Sequence, residues 1–206
     1  MHDARPAFEE ASTDLRAELP LLLPLACEWA VEQAALALET GVPLTGPGLS
    51  LAVRVGVRAP EVVRVLVVPA VPVPDAPMLR TACAQLALLG PATAGLTLGS
   101  AIFIRRDHAP DGRLLAHELR HVAQYERFPS IPAFLAVYLL QLLELGYEAA
   151  PLEEDARTFA GTFSDRSFSG TGPRRPLYAR PRTRSSQPPA VIGGPTRVAR
   201  EPHQPE

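Results

Sequence analysis

Residues 114–128 read LLAHELRHVAQYERF, and their apolar spacing predicts a helix that begins after Asp111, a candidate N-cap, and is closed by Pro129. Within it, His117 and His121 are four residues apart and therefore lie one turn apart on the same helix face, with about 5–6 Å between their Cβ atoms. Two imidazoles in this arrangement can bind one Zn²⁺ at about 2.0–2.1 Å. The stretch predicts a metal-binding helix.

Glu118 completes an HExxH motif with these two histidines. Its side chain is turned by about 100° from that of His117, so it is poorly placed to join the two imidazoles as a ligand. It can instead take a proton from a metal-bound water, which makes it the candidate general base of a hydrolytic reaction. The alternative is that both histidines are ordinary core or surface residues and Glu118 is solvated.

A third ligand is expected from the chain that follows the motif. A helix of about fifteen residues that folds back antiparallel travels about 22 Å, which brings a next helix starting at Pro151 beside the motif. This geometry favours Glu153 but does not separate it from Glu154. The acidic candidates in and before this helix are Glu144, Glu148, Glu153, Glu154 and Asp155.

Three further polar side chains are candidates for the surroundings of the site. Gln124 can orient a histidine ligand from outside the coordination shell. Tyr125 lies one turn after His121, and Tyr147 could polarise a substrate carbonyl if its loop covers the cleft. For both tyrosines, packing is the alternative role.

The remaining elements predict an α+β fold, in which a small, mostly antiparallel sheet packs on helices. Val-rich stretches at 50–57 and 61–68 favour strands, and 95–107 favours a strand or hairpin. The predicted helices cover 7–40, 76–89, 112–128, 131–145 and 151–163.

Charge divides the chain into two parts. The formal net charge is -2, but residues 166–206 carry eight Arg against two Glu, so they have +6 and residues 1–165 have -8. The second part also has eight Pro and almost no apolar periodicity, which predicts a disordered basic tail behind a single domain at 1–165. The near-balanced total predicts no specific nucleic-acid site. The tail itself could contact an acidic partner, nucleic acid or its own acidic domain, or it could be a solvated extension with no dedicated partner.

Two apolar stretches raise the question of a membrane. Residues 18–38 are interrupted by Glu28 and Glu32, and residues 131–145 are short and contain Gln141 and Glu144. We expect buried amphipathic helices and no transmembrane segment, with weak membrane association through 131–145 as the alternative. The first residues, MHDARPAFEE, lack the basic and apolar pattern of a secretory signal. The expected location is cytoplasmic, with non-classical export left open.

The motif, followed after a long apolar helix by GYEAAPLEEDARTFA (146–160), resembles the small gluzincin-type metallopeptidases, above all bacterial minigluzincin-like domains, many of unknown function. Their pattern is HELxHVxQ and then a P-x-E-x-E-A-like element, and the membrane-embedded CAAX prenyl proteases share a related arrangement. The resemblance covers about residues 94–163. It implies one zinc ion per chain held by His117, His121 and Glu153, with Glu118 as general base. It also implies that AIFIR (101–105) is the edge strand along which an extended peptide pairs.

The chain departs from this pattern at two positions. The second acid of the late element is Asp155, and Arg157 follows Ala156 where the membrane proteases often have Asp. We therefore carry two hypotheses from the sequence. The first is a zinc-dependent hydrolase, most simply a metallopeptidase. The second is a zinc-stabilised, non-catalytic interaction domain that docks a partner through its basic tail.

Overall fold

The computed structural model describes residues 5–109, 111–163 and 176–179, with side chains described from Asp14 onward. Its α+β architecture confirms the predicted class. The helices are α1 (Arg5–Thr40), α2 (Gly46–Val55), α3 (Pro77–Gln85), α4 (Gly112–Tyr125), α5 (Ile131–Ala149) and α6 (Pro151–Gly161). The strands are β1 (Val42–Pro43), β2 (Arg64–Val68), β3 (Gly95–Leu98) and β4 (Ala101–Arg105).

The four strands form one sheet in the order β1-β2-β4-β3. The β1–β2 and β3–β4 pairs are antiparallel, whereas β2 and β4 run parallel, and the chain between those two strands contains α3. A parallel pair needs such a long crossover. The sheet is thus mostly antiparallel by pair count, as predicted.

The prediction that residues 101–105 form an edge strand is wrong. β4 pairs with β2 on one side and with β3 on the other, and residues 101–104 are all buried. A continuous apolar run such as AIFI is typical of a strand covered on both faces. The edge position belongs to β3, the first arm of the same hairpin.

The strand predicted at 50–57 is also wrong, because these residues lie mainly in α2. Leu51, Ala52 and Val55 are buried while Val53 is 61% exposed, which is a helical rather than an alternating pattern. Gly56 ends the helix in the left-handed conformation, with φ 99°. The abundance of valine therefore favoured a strand where the spacing of the buried residues favours a helix.

Two helical layers cover the sheet. Side chains of β4 alternate between them, so that Ile102 and Ile104 pack with α2, α4 and α6, whereas Phe103 packs with α1 and α5. Helix α4 contacts β3, the edge strand, and also packs along α6.

Helices α1 and α5 were expected to be buried amphipathic helices, and each packs on the core along one side. Small residues of α1, namely Ala30, Ala34 and Ala37, form its buried contact, and the helix continues through Pro20 and Pro24. By length and composition alone, Asp14–Thr40 (27 residues) and Ile131–Ala149 (19 residues) are long and apolar enough to cross a membrane. Core helices of soluble proteins meet the same test, so it does not distinguish the two roles.

The predicted disordered tail, 166–206, lies outside the described residues except for 176–179. These four residues contact the domain, which is one of the contacts considered for the tail. Tyr178 forms an antiparallel bridge with Leu44, the Thr45 N–H donates to the Leu177 carbonyl (3.0 Å), and the Ala179 N–H donates to the Pro43 carbonyl (3.0 Å). Leu177 and Tyr178 also pack on the core layer of α2 and α4, which supplies the apolar burial that orders this segment.

Asp111 caps α4 as predicted, because its Oδ1 accepts hydrogen bonds from the N–H groups of Arg113 (2.8 Å) and Leu114 (3.1 Å). We expect Asp111→Ala to lower the free energy of unfolding by about 1 kcal/mol. Asp111→Asn, which keeps an oxygen acceptor, should lose much less. Urea unfolding followed by circular dichroism measures both, and equal losses in the two variants would contradict the capping role.

Candidate metal centre

The imidazoles of α4 and one carboxylate of α6 converge at the β3 end of the molecule. The Nε2 atoms of His117 and His121 lie 3.1 Å apart. The carboxylate of Glu153 approaches them, with 3.3 Å from Oε1 to His121 Nε2 and 3.6 Å from Oε2 to His117 Nε2. All three donor groups lie within 4.8 Å of one another, so this cluster could hold one metal ion.

The Glu153 side chain fits a cation site better than a closed core. The residue is 1% exposed, and its Oε2 has no hydrogen-bond partner among the described residues. A buried carboxylate oxygen without a partner is costly unless a cation neutralises it. Two imidazoles and one carboxylate are moreover a common ligand set for zinc with one open position.

The pKa shifts in the cluster follow from burial and from the close contacts. Burial lowers the pKa of His117 to about 4, which leaves its ring neutral and able to donate a lone pair. Burial also disfavours the Glu153 carboxylate, but its hydrogen bond with His121 outweighs this and lowers the pKa of Glu153 to about 2. Burial lowers the pKa of His121, but the hydrogen bond and the charge of Glu153 outweigh burial, so the pKa of His121 is raised.

The structure separates the two acidic neighbours that helical geometry left open. Glu153 lies on the side of the first turn of α6 that faces α4, and it is buried among the histidines. Glu154 is exposed and is not part of the cluster. Since α6 begins at Pro151, the first-turn placement expected from the length of α5 is what brings Glu153 to the motif.

Gln124 lies behind the cluster and holds His121. Its Oε1 is 2.9 Å from Nδ1 of His121, so the imidazole can donate to it and present Nε2 to the cluster. The amide of Gln124 donates in turn to the Leu152 carbonyl (2.9 Å) and to Oδ2 of Asp155 (2.7 Å). The side chain therefore connects α4 to the start of α6.

Asp155, which stands where the family pattern has Glu, also connects α4 to α6. Arg120 donates to it through two nitrogens, Nε to Oδ2 (2.7 Å) and Nη2 to Oδ1 (2.9 Å), and also donates to the Val55 carbonyl (2.9 Å). The guanidinium also lies over the ring of Phe159. These contacts hold the pKa of the Asp155 carboxyl below its usual range, chiefly through the hydrogen bond from Arg120.

Glu118 is buried beside the cluster but is held by a different element. Its Oε2 accepts a hydrogen bond from the Thr97 hydroxyl of β3 (2.7 Å), which also lies 3.1 Å from the Glu118 carbonyl. Burial raises the pKa of Glu118 to about 7. Gly95 makes room for the side chain, since a Cβ at that position would lie 2.7 Å from Glu118 Cδ.

The two predicted tyrosines have different surroundings. Tyr125 is buried and stacks on Phe134 with 3.7 Å between ring centroids, so it packs the core. Tyr147 lines the cavity beside the cluster, where burial and the Glu153 charge raise its pKa. Tyr138 was not among the predicted site residues, yet its hydroxyl donates to Glu153 Oε1 (2.7 Å) from the middle of α5. Its polar tip in an otherwise apolar stretch was the available signal.

Arg157, one turn after Glu153, brings a cation close to the cluster. Its Nη1 lies 3.8 Å from Glu153 Oε2, and the guanidinium lies 5.7 Å from the centroid of the Tyr147 ring. It also donates to the Glu148 carbonyl. The side chain is about one-third exposed, so solvent weakens its interaction with Glu153.

A cavity of about 150 Å³ opens beside the cluster. Its walls come from α1, α3, β3 and α5, and its lining includes His117, Glu118, His121, Tyr147 and Glu153. The site is therefore accessible from a partly enclosed space rather than sealed in the core.

Comparison with known proteins gives one family match. The family model of the eCIS core domain, eCIS standing for extracellular contractile injection system, matches residues 80–129. These residues contain β3, β4 and α4, with His117, Glu118 and His121, but not Glu153. No gluzincin or other peptidase family matched. No curated protein and no solved structure gave a significant match.

The Asp155 support gives a prediction about stability. Asp155→Ala leaves the largely buried guanidinium of Arg120 and the amide of Gln124 without this acceptor, so we expect the free energy of unfolding to fall by about 2 kcal/mol. Glu154→Ala, one residue away and exposed, should change it by less than about 0.5 kcal/mol. Thermal and urea unfolding compare the two, and equal effects would exclude a specific support.

Proposed function

We propose that the protein is a zinc-dependent hydrolase, and specifically a metallopeptidase. One observation carries the proposal. A buried carboxylate, Glu118, lies next to a cluster of two imidazoles and a second carboxylate, yet it is held by β3 and is not one of the clustered donors. This arrangement offers ligands for a metal ion and a separate candidate base, which are the two parts that metal-assisted hydrolysis of an amide uses.

His117, His121 and Glu153 would hold the metal. When bound, Zn²⁺ acts as a Lewis acid that polarises a substrate carbonyl and makes water a stronger nucleophile at neutral pH. Two neutral imidazoles and one carboxylate cancel only one of its two charges, so this donor set favours strong polarisation. Gln124 fixes the ring of His121, and Tyr138 fixes the carboxylate of Glu153.

Glu118 would act as the general base. Its carboxylate accepts a proton from water as the water oxygen forms a bond to the carbonyl carbon of the substrate. When the carbon–nitrogen bond breaks, Glu118 returns that proton to the leaving nitrogen. Thr97 limits the rotation of the carboxylate through its hydrogen bond, and Gly95 allows it to lie against the strand.

A peptide is the substrate that the sheet favours. Among the described residues β3 has a partner on one side only, and its Thr97 donates a hydrogen bond to Glu118 of α4. An extended chain could add to this edge through backbone hydrogen bonds, with a carbonyl near the base. The proposed binding strand for the peptide is therefore β3 (95–98) and not residues 101–105, which form an interior strand.

The eCIS core match supports a proposal about setting. We infer that the protein acts together with an extracellular contractile injection system. The support is the match of the eCIS core model to residues 80–129, which contain His117, Glu118 and His121 of the proposed site. The non-catalytic alternative, a zinc-stabilised interaction domain that uses its tail to bind a partner, would require the same metal site but not Glu118. A Glu118 variant therefore distinguishes the two functions.

The first test is metal binding. The purified chain should retain one zinc per molecule after dialysis, and His117→Ala or Glu153→Gln should lose it, whereas Glu154→Gln should retain it. Zinc at 100 times its dissociation constant should stabilise the wild type by about 2.7 kcal/mol. Metal analysis and thermal unfolding measure both effects. If Glu153→Gln retained zinc and Glu154→Gln lost it, the third ligand would be Glu154, and the assignment of Glu153 would be wrong.

The second test separates base from metal. Glu118→Gln should keep its zinc but cleave a broad peptide library at least about 100-fold more slowly. Gly95→Ala should keep zinc and stability, because the Glu118 carboxyl can rotate away, but should slow cleavage on the order of 10²-fold.

The control for the second test is Gly161→Ala, at a glycine with open space where the Cβ would be. It should cleave like the wild type. Full activity of Gly95→Ala would show that Glu118 does not act from its position against β3. Absence of cleavage by the wild type, together with a partner bound equally by wild type and Glu118→Gln, would favour the interaction domain.

A further inference from the structure

We infer that the cavity beside the candidate metal centre is a selectivity pocket for one large apolar side chain of a peptide substrate, either aromatic or branched aliphatic. This inference rests on the proposed function and deepens it by naming the substrate class. It depends on the lining of the cavity, on its size and on the direction in which β3 presents an added chain.

The lining is apolar away from the site. Leu22, Ala26 and Trp29 contribute from α1, Ala82 from α3 and Leu139 from α5. The charged and ionisable groups in the lining, apart from Cys83, are those of the site and its tyrosines, which cluster together in space. A charged substrate side chain that entered this space would lose its hydration without gaining a partner on the helical walls.

The walls are reachable from solvent. Leu19, Ala26 and Trp29 of α1 are only partly buried, as are Leu86 after α3 and Leu96 of β3. A cavity with half-buried apolar walls differs from a packing void, which is closed on all sides. The space is therefore available to a ligand that arrives at the site.

Size selects one side chain. A dry cavity of about 150 Å³ lined by aliphatic and aromatic residues can take up benzene. The cavity here has about that volume, so it fits the side chain of Phe or Leu.

β3 sets the direction of entry. Leu96 and Leu98 face the layer of α1 and α5, while Thr97 between them faces Glu118. In a strand added to this edge, successive side chains alternate in the same way. A residue whose carbonyl lies near Glu118 therefore has a neighbour whose side chain points to the helical walls, and that neighbour would fill the cavity.

The experiment uses Trp29, the single tryptophan of the chain and part of the cavity wall. The probes are N-acetyl-phenylalaninamide, N-acetyl-leucinamide and N-acetyl-alaninamide, titrated into the full chain while the emission of Trp29 is recorded. The first two should give a saturable change at concentrations at least 10-fold lower than the third. In parallel, peptides that differ only by Phe, Leu or Ala at one position are assayed for cleavage, with an expected preference of about 10- to 100-fold for Phe and Leu.

Two filling variants test the location. Ala82→Phe and Ala26→Phe place a ring in the cavity, and each should abolish both the response of Trp29 and the preference in cleavage. Their matched controls are Ala84→Phe on α3 and Ala35→Phe on α1, which change exposed positions of the same helices. Circular dichroism verifies folding, and because the two filling variants lie on different helices, one suffices if the other does not fold.

The outcomes separate this inference from the proposed function. Cleavage without preference among the three peptides, or a preference that both filling variants retain, overturns the pocket and leaves the hydrolase standing. A response of Trp29 that the filling variants abolish, in a chain that holds zinc but cleaves no peptide, supports the pocket and overturns the peptidase. No response of Trp29 to any probe, with no preference in cleavage, also overturns the pocket.

Discussion

The hydrogen bonds that tie α4 to the N-terminal half of α6 are the constraint on which the site depends. Two side chains of the motif helix, Arg120 and Gln124, share one acceptor, Asp155. With that residue fixed, Glu153 two positions earlier lies against the imidazoles, and Gln124 sets the orientation of His121. The geometry of the cluster is thus decided outside it, by polar contacts between two helices.

The same contacts hold a buried charge in place. Glu153 is a carboxylate in the interior with one oxygen that lacks a hydrogen-bond partner among the described residues, and Tyr138 satisfies only the other oxygen. That other oxygen, Oε1, lies 3.3 Å from His121 Nε2, and the contact with Glu153 raises the pKa of His121. Folding around such a group costs free energy, and a metal ion would offset that cost. Stability and the proposed chemistry therefore depend on the same three residues.

The sequence was sufficient for those parts of the site that are local. The spacing of His117 and His121 predicts their convergence on one helix face, and the length of α5 predicts a carboxylate from the first turn of α6. Thr97, Gly95 and Tyr138 were missed because their roles depend on which elements become neighbours, and no spacing along the chain encodes that. The order of the sheet is non-local for the same reason, and the edge position of residues 101–105, which the family resemblance implied, was wrong. Helix α2 was mistaken for a strand because valine content was given more weight than the spacing of buried residues.

The segment 176–179 contacts one edge of the sheet, next to β1, and does not contact the other edge, β3. On the β1 side, Tyr178 and its neighbours bond to the strand and cover Gly48, where a Cβ would lie 2.9 Å from the carbonyl carbon of Leu177. An uncovered strand border is a site at which other chains can assemble. The backbone of this segment already bonds to β1. Among the described residues, β3 is therefore the edge to which another strand could be added, and that strand would lie next to Glu118. A polypeptide captured by strand addition would in this way lie beside Glu118, the proposed base, rather than on the far side of the molecule.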